Sequence, residues 1–133
     1  MNKSGFTLVE ILSVIVLISL LLGLGIPGII KLKVNMNKRS YATKKSEIEQ
    51  AAVIWGNDNV YRLRTADCEV DSIKYNCYKM KVKELINEDY LPSEKQNDIS
   101  YTNPVNGEEI INKCVYVYRK NNRVYARYTD SEC

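Results

Sequence analysis

The chain contains no histidine. That absence removes Ser-His and Cys-His nucleophile pairs and most catalytic zinc sites, where imidazole is the usual base or ligand. No C-x-x-C pair is present either, which argues against a structural zinc. Phenylalanine and tryptophan occur once each, against ten tyrosines. There is no internal repeat, low-complexity segment or long linker. Positions 11–30 hold no charged residue, while the whole chain carries 19 Lys and Arg against 16 Asp and Glu, a modest net +3. At 133 residues the chain has room for one domain and one long helix.

What is present begins with Gly5-Phe6-Thr7-Leu8-Val9-Glu10 and the apolar run behind it. Leu, Ile and Val dominate that run, with Ser13, Ser19, Gly23, Gly25, Pro27 and Gly28 among them. About 20 such residues at 1.5 Å each span a bilayer core of about 30 Å, so the run is a transmembrane candidate. A secretory signal peptide would have a shorter apolar core, with a small-residue cleavage site after it. Here the natural cut lies before the run, between Gly5 and Phe6. Glu10 stands near the helix start, where the macrodipole favours negative charge. A carboxylate at a bilayer centre costs about 2.5–3.5 kcal/mol, less near an interface. It therefore calls for a cationic partner; the plainer alternative is a carboxylate snorkelling to the interface alone. Ser13, Ser19, Gly23 and Gly25 offer small spots for close helix approach. Pro27, with its neighbouring glycines, predicts a kink or a short melted stretch near 23–28.

Lys3-Ser4-Gly5-Phe6-Thr7-Leu8-Val9-Glu10 resembles the prepilin leader junction of type IV pilins and the related pseudopilins. The resemblance covers roughly the first third of the chain. It implies cleavage between Gly5 and Phe6 by a prepilin peptidase and N-methylation of Phe6. It also implies that Glu10, accompanied in the motif by Thr7, meets the freed amine of a neighbouring copy's Phe6 during filament assembly. Pro27 falls where such proteins often carry a helix-bending proline.

Four cysteines, Cys68, Cys77, Cys114 and Cys133, lie beyond the apolar run. An even count in a small exported domain reads as two disulfides, with free buried thiols as the alternative. Of the three possible pairings, Cys68–Cys77 as a local staple and Cys114–Cys133 as a C-terminal clamp are favoured. The basic residues Lys31, Lys33, Lys38, Arg39, Lys44 and Lys45 follow the span, while only Lys3 and the initial amine precede it. Taken alone, the positive-inside rule would keep the C-terminal part in the cytoplasm. The cysteines and the leader junction favour the opposite: a single-pass protein of the cytoplasmic membrane, N-terminus inside and head outside. The basic collar would then lie against anionic headgroups before assembly.

Beyond Lys31 the pattern turns amphipathic. Tyr41, Ile48, Ala52 and Trp55, with Ala51 alongside, form one helical stripe. Lys44, Lys45, Glu47 and Glu49 fall mostly on the other side, where Lys45 and Glu49 can pair at i, i+4. One helix is expected over 6–57, transmembrane over 6–30, with Gly56-Asn57-Asp58-Asn59 as its stop. Residues 60–78 read as a loop-rich connection. Residues 82–91 read as a short helix ended by Pro92. That stretch and Asn103-Pro104-Val105-Asn106-Gly107 also resemble the Tyr-Leu-Pro turn and Pro-x-x-Gly loop of pilin-like heads, with Asn103 where an Asp is usual. Asn121-Asn122 predicts a hairpin turn between 114–120 and 123–129. A two-residue turn sets Val115 opposite Tyr128, Val117 opposite Ala126 and Arg119 opposite Val124, an apolar side suited to the helix stripe. Tyr116, Tyr118, Tyr125 and Arg127 lie on the other side, either as an adhesive face or as cross-strand pairs that stabilise the sheet.

The expected fold is α+β and pilin-like. A leader at 1–5 precedes the long helix, which packs on a small antiparallel, disulfide-stapled head at 58–133. No catalytic residue and no cofactor are expected. Asp98, Asn103, Asn106, Glu108 and Glu109 offer oxygens that suit calcium, without EF-hand spacing. The basic residues at 31–45 and 119–127 have the number, though not the openness in a packed filament, for nonspecific DNA contact. The expected role is a structural filament subunit whose partners are copies of itself, other pilins, prepilin peptidase, the assembly machinery and the membrane. Two alternatives stand beside it: a pseudopilin of a type II secretion or competence DNA-uptake machine, and a monomeric membrane-anchored binding module.

Overall fold

The structure is a computed structural model that describes Gly5 and residues 7–133; the side chains of residues 24–30 lie outside the described set. Helix α1 runs over Leu8–Asp58, 51 residues without a break, so the melted stretch expected near 23–28 is absent. By its internal contacts the chain forms two units, Met1–Asn37 and Lys38–Cys133.

In the first unit the described apolar side chains point into open space. From Leu8 to Leu22 the large ones are 50–80% exposed. Among the described residues no helix is long and apolar enough to cross a membrane. Described side chains cover residues 7–23 of the expected 6–30 span. Seventeen residues reach roughly 26 Å, short of a bilayer core of about 30 Å. Phe6 and the side chains of 24–30 fall outside the described residues.

The second unit is α+β. A four-stranded antiparallel sheet has the order β1-β2-β3-β4, with β1 at Ala66–Val70, β2 at Ile73–Lys81, β3 at Lys113–Lys120 and β4 at Arg123–Glu132. The second half of α1 packs on one sheet face. Ile48, Ala52 and Trp55 are fully buried and Ala51 nearly so, against Met80, Val115 and Val117. The β3–β4 register pairs Val115 with Tyr128, Val117 with Ala126 and Arg119 with Val124, around Asn121 and Asn122 at φ 49° and 66°.

Four expectations need correction. The connection over 60–78 is a 3-10 turn, Val60–Arg62, followed by the β1–β2 hairpin. Its two-residue turn, Asp71-Ser72, sits at φ 50° and 65°, the same geometry as Asn121-Asn122. Second, α1 ends at Asp58, inside the expected Gly56–Asn59 stop and one residue past 57, but Gly56 is not the residue that ends it. Gly56 is buried, and a Cβ there would lie 2.6 Å from Val117 Cγ1 and 2.7 Å from Val124 Cγ1. The glycine thus lets helix backbone lie on sheet. The stop belongs to Asn59, whose backbone and side-chain N–H groups both donate to the Trp55 carbonyl, at 3.0 and 2.9 Å.

Third, the short helix α2 covers Val82–Asn87 and ends well before Pro92. Asp89 takes φ 61°, Asp89 N–H donates to Ile86 O at 3.2 Å and Tyr90 N–H to Leu85 O at 2.9 Å. That pair of bonds is a Schellman cap, here closed on an Asp rather than a Gly. Fourth, the charges beside the helix stripe do not face away from the sheet. Lys44 pairs with Glu94, Lys45 with Asp130 at 3.1 Å, and Glu49 accepts the Tyr128 N–H at 3.0 Å. They flank the apolar seam and tie it at its rims.

Candidate assembly site at the start of helix α1

Thr7-Leu8-Val9-Glu10 has a threonine three residues before a glutamate, immediately ahead of an apolar run. That is the sequence of a capping box. Thr7 N–H donates to Glu10 Oε2 at 2.9 Å and Thr7 Oγ1–H to the same oxygen at 3.1 Å. In return Glu10 N–H donates to Thr7 Oγ1 at 3.3 Å. The first helical bond follows, from Ile11 N–H to Thr7 O at 3.3 Å. Donors that a helix start leaves without partners are thereby satisfied inside the first turn. The T-x-x-E spacing carried this signal; reading Glu10 only as a charge awaiting a partner overlooks it.

The capping box also fixes where the carboxylate sits. Glu10 is exposed at the head of an apolar cylinder, flanked by Leu8 and Val9 at 80% and 74% exposure. Ser13 and Ser19 hydroxyls donate back to Glu10 O and Ile15 O, both at 2.8 Å. Their polarity is absorbed within the helix, leaving small apolar-compatible spots on its surface. A Cβ on Gly5 would meet nothing within 4 Å. Packing among the described residues therefore gives no reason for a glycine there. Phe6, like the leader residues 1–4 and the Pro27 side chain, lies outside the described residues.

The other candidate residues are placed as follows. Cys68 is joined to Cys77 across the β1–β2 hairpin, and Cys114 at the start of β3 to Cys133 at the C-terminus. Of the oxygen-bearing loop residues, Asn103 Oδ1 accepts Val105 N–H at 2.9 Å, Asn106 Oδ1 accepts Glu108 N–H at 3.0 Å, and Glu109 accepts the Ser100 hydroxyl at 2.9 Å. Glu108 pairs with Lys113 at 3.2 Å. These oxygens brace a loop around Gly107, at φ 72°, rather than converging on one point. Among the described residues no group of three or more Asp, Glu or Cys is placed to hold a metal ion. Of the basic collar, Lys31, Lys33, Lys38 and Arg39 are exposed, whereas Lys44 and Lys45 are engaged in the ion pairs already described.

The tyrosine side of the sheet is partly a second small core. Tyr118 is 9% exposed and stacks between Tyr75 and Tyr125, with centroids at 4.7 and 5.8 Å, over the Cys68–Cys77 bridge. Cross-strand packing therefore accounts for Tyr118 and leaves Tyr125 at the margin.

The comparisons agree with the residues at the helix start. Residues 1–26 match the prokaryotic N-terminal methylation motif. This motif is the prepilin-cleavage signature of type IV pilins and pseudopilins. The match takes in Gly5, Phe6, Thr7 and Glu10 and ends within α1, before the sheet unit begins. No curated protein and no solved structure matches the chain.

Proposed function

We propose that this chain is a structural subunit of a type IV pilus-like filament. It is cut between Gly5 and Phe6 by a prepilin peptidase, methylated on Phe6, and packed with its copies and other pilins through residues 6–30. The observation that carries the reading is the combination at the helix start. A methylation motif at residues 1–26 precedes apolar side chains that are half to four-fifths exposed from Leu8 to Leu22. Contiguous apolar surface of that extent requires lipid or protein around it. In this reading the helix first spans the cytoplasmic membrane, N-terminus inside, and then exchanges lipid for neighbouring helices. The two disulfides belong to an oxidising exterior.

Glu10 supplies the register. Cleavage creates a cationic amine at Phe6, and one carboxylate can accept both the Thr7 donors and an ammonium from the next copy. In an apolar surrounding that pair offsets the cost of holding a charge there, and it fixes the axial stagger between helices. The capping box holds the carboxylate in place before the partner arrives. The chain itself catalyses nothing; the cleavage and methylation are done to it, and export through the assembly machinery follows.

Glu10→Ala and Glu10→Lys test this. Both variants should insert in the membrane at wild-type levels, and filament yield should fall by at least about tenfold, the factor that loss of 1.4 kcal/mol gives. Glu10→Lys should be the worse, because it sets two cations together. Wild-type filament yield from Glu10→Lys would sink the reading. Electron microscopy of the assembled material separates a long surface pilus from the short piston of a pseudopilin.

A further inference from the structure

The sheet face that α1 packs on continues past the end of the helix. α1 stops at Asp58, and the Val60–Arg62 turn leads into Arg64 and β1. Strand alternation puts Asp67, Asn76 and Arg119 on the same face as Met80 and Val117, in a row across three strands, with Asp67 paired to Asn76. A cleft of about 840 Å³ opens over this uncovered strip, walled by Tyr61 and Arg64 on one side and the β3–β4 turn on the other. Its size is that of an ordinary small-ligand cleft, roughly 300–1,000 Å³.

The lining is cationic. Arg64, Lys74 and Arg119 border the cleft against a single carboxylate, Asp67. All three cations are exposed, and among the described residues none of them makes an ion pair. Arg119 is held in place by a hydrogen bond to the Asn122 side-chain oxygen. Three exposed cations bordering one cleft, outnumbering its one carboxylate, favour an anion, and two of them are guanidinium forks suited to carboxylate or sulfate.

Two features choose among anions. A single nucleic-acid strand needs successive aromatic platforms for its bases. Here Tyr75 already stacks on Tyr118, leaving Tyr61, 79% exposed, as the open ring. Asp67 is an acceptor for hydroxyl groups, and Asn76 and Asn121 add amides that both donate and accept, a polar lining suited to a hydroxyl-rich anion. We infer that this cleft binds an acidic oligosaccharide. Arg64, Lys74 and Arg119 take its carboxylate or sulfate groups, Tyr61 lies against a sugar ring, and Asp67 with the amides takes hydroxyls. This site is independent of the assembly reading at the helix start.

Titration calorimetry on the full chain in detergent micelles tests it, using a galacturonate tetrasaccharide, a sulfated galactose tetrasaccharide, the neutral galactose tetrasaccharide and a thymidine octanucleotide. At least one acidic sugar should bind, more weakly as salt rises, and the neutral sugar at least about tenfold more weakly. The tighter of the two acidic sugars names the acidic group. Arg64→Gln and Arg119→Gln should each cost about tenfold, while Lys95→Gln, outside the cleft, should change nothing. All three positions are exposed, so thermal midpoints should stay at the wild-type value. Failure of both acidic sugars to bind, equal binding of the neutral sugar, tighter binding of the oligonucleotide, or an undiminished Arg119→Gln would each overturn the assignment.

Discussion

Residues 8–22 and residues 48–55 belong to the same helix, and both are rich in apolar side chains. In the second stretch Ile48, Ala52 and Trp55 are fully buried, while in the first no large apolar side chain is less than 50% exposed. Backbone hydrogen bonding is alike in the two, so the helix by itself does not distinguish them. What differs is the cover. The second stretch closes on a sheet that the same chain supplies, held by two disulfides and by ion pairs at its rims. The first is capped at its start by Thr7 and Glu10, but no described residue of the chain covers it. One helix thus joins a self-covered fold to an exposed apolar stretch, which the proposed function would cover with lipid or with copies.

Substitutions in either stretch can sharpen or break this contrast. The largest effect is expected from Trp55→Ala. It empties the core seam and removes the indole N–H bond to Glu88 at 2.7 Å and the ring contact with Tyr78 at 4.8 Å. Truncation of a buried Trp costs about 3–5 kcal/mol. Chemical denaturation followed by near-ultraviolet circular dichroism should show that loss; a change below 1 kcal/mol would mean the seam does not hold the unit together. Gly56→Ala comes next. The new methyl would overlap Val117 and Val124, and overpacking of this kind costs about 1–3 kcal/mol in the same assay.

Thr7→Ala probes the other end. Loss of the cap should cost about 1 kcal/mol of helix stability, read as faster amide exchange over the first turns in micelles. The denaturation midpoint of the sheet unit should not move, and a moved midpoint would break the proposed independence. The smallest effect concerns acid. Tyr41's hydroxyl, donating to Asp130 at 2.5 Å, holds that carboxyl below the usual aspartate range, with the Lys45 ammonium adding to it and burial opposing. A depressed carboxyl stabilises the fold above the unfolded-state pKa, about 3.9, and the contribution disappears as pH falls through the folded-state value. Asp130 is largely exposed, so the contribution should be under about 1 kcal/mol. Wild type should lose slightly more stability than Asp130→Asn between pH 5 and pH 2.

The pattern of what could be read from the residues follows from where each signal is written. The stripe from Ile48 to Trp55 and the register around Asn121-Asn122 are local periodicities, and both are found in the structure. The β1–β2 hairpin was not legible, because its turn is Asp71-Ser72. Serine at positive φ is uncommon, so the dipeptide does not announce the geometry that Asn-Asn does. The end of α2 was hidden in the same way, in a left-handed Asp89 ahead of the more conspicuous Pro92. The partners of Lys44, Lys45 and Glu49 lie some 50–85 positions away in sequence, and only the fold brings them near. At the helix start the T-x-x-E spacing held the capping box, but the charge of Glu10 in an apolar run drew attention from it. The cleft beyond Asp58 was not legible, since it draws on three strands and a turn.

The most direct measurement is mass spectrometry of the mature amino terminus, on protein isolated from its native membrane. The account predicts a chain that begins at residue 6 and carries one methyl group on the Phe6 nitrogen. A chain that still begins at Met1, or an unmodified Phe6 amine throughout, would contradict it.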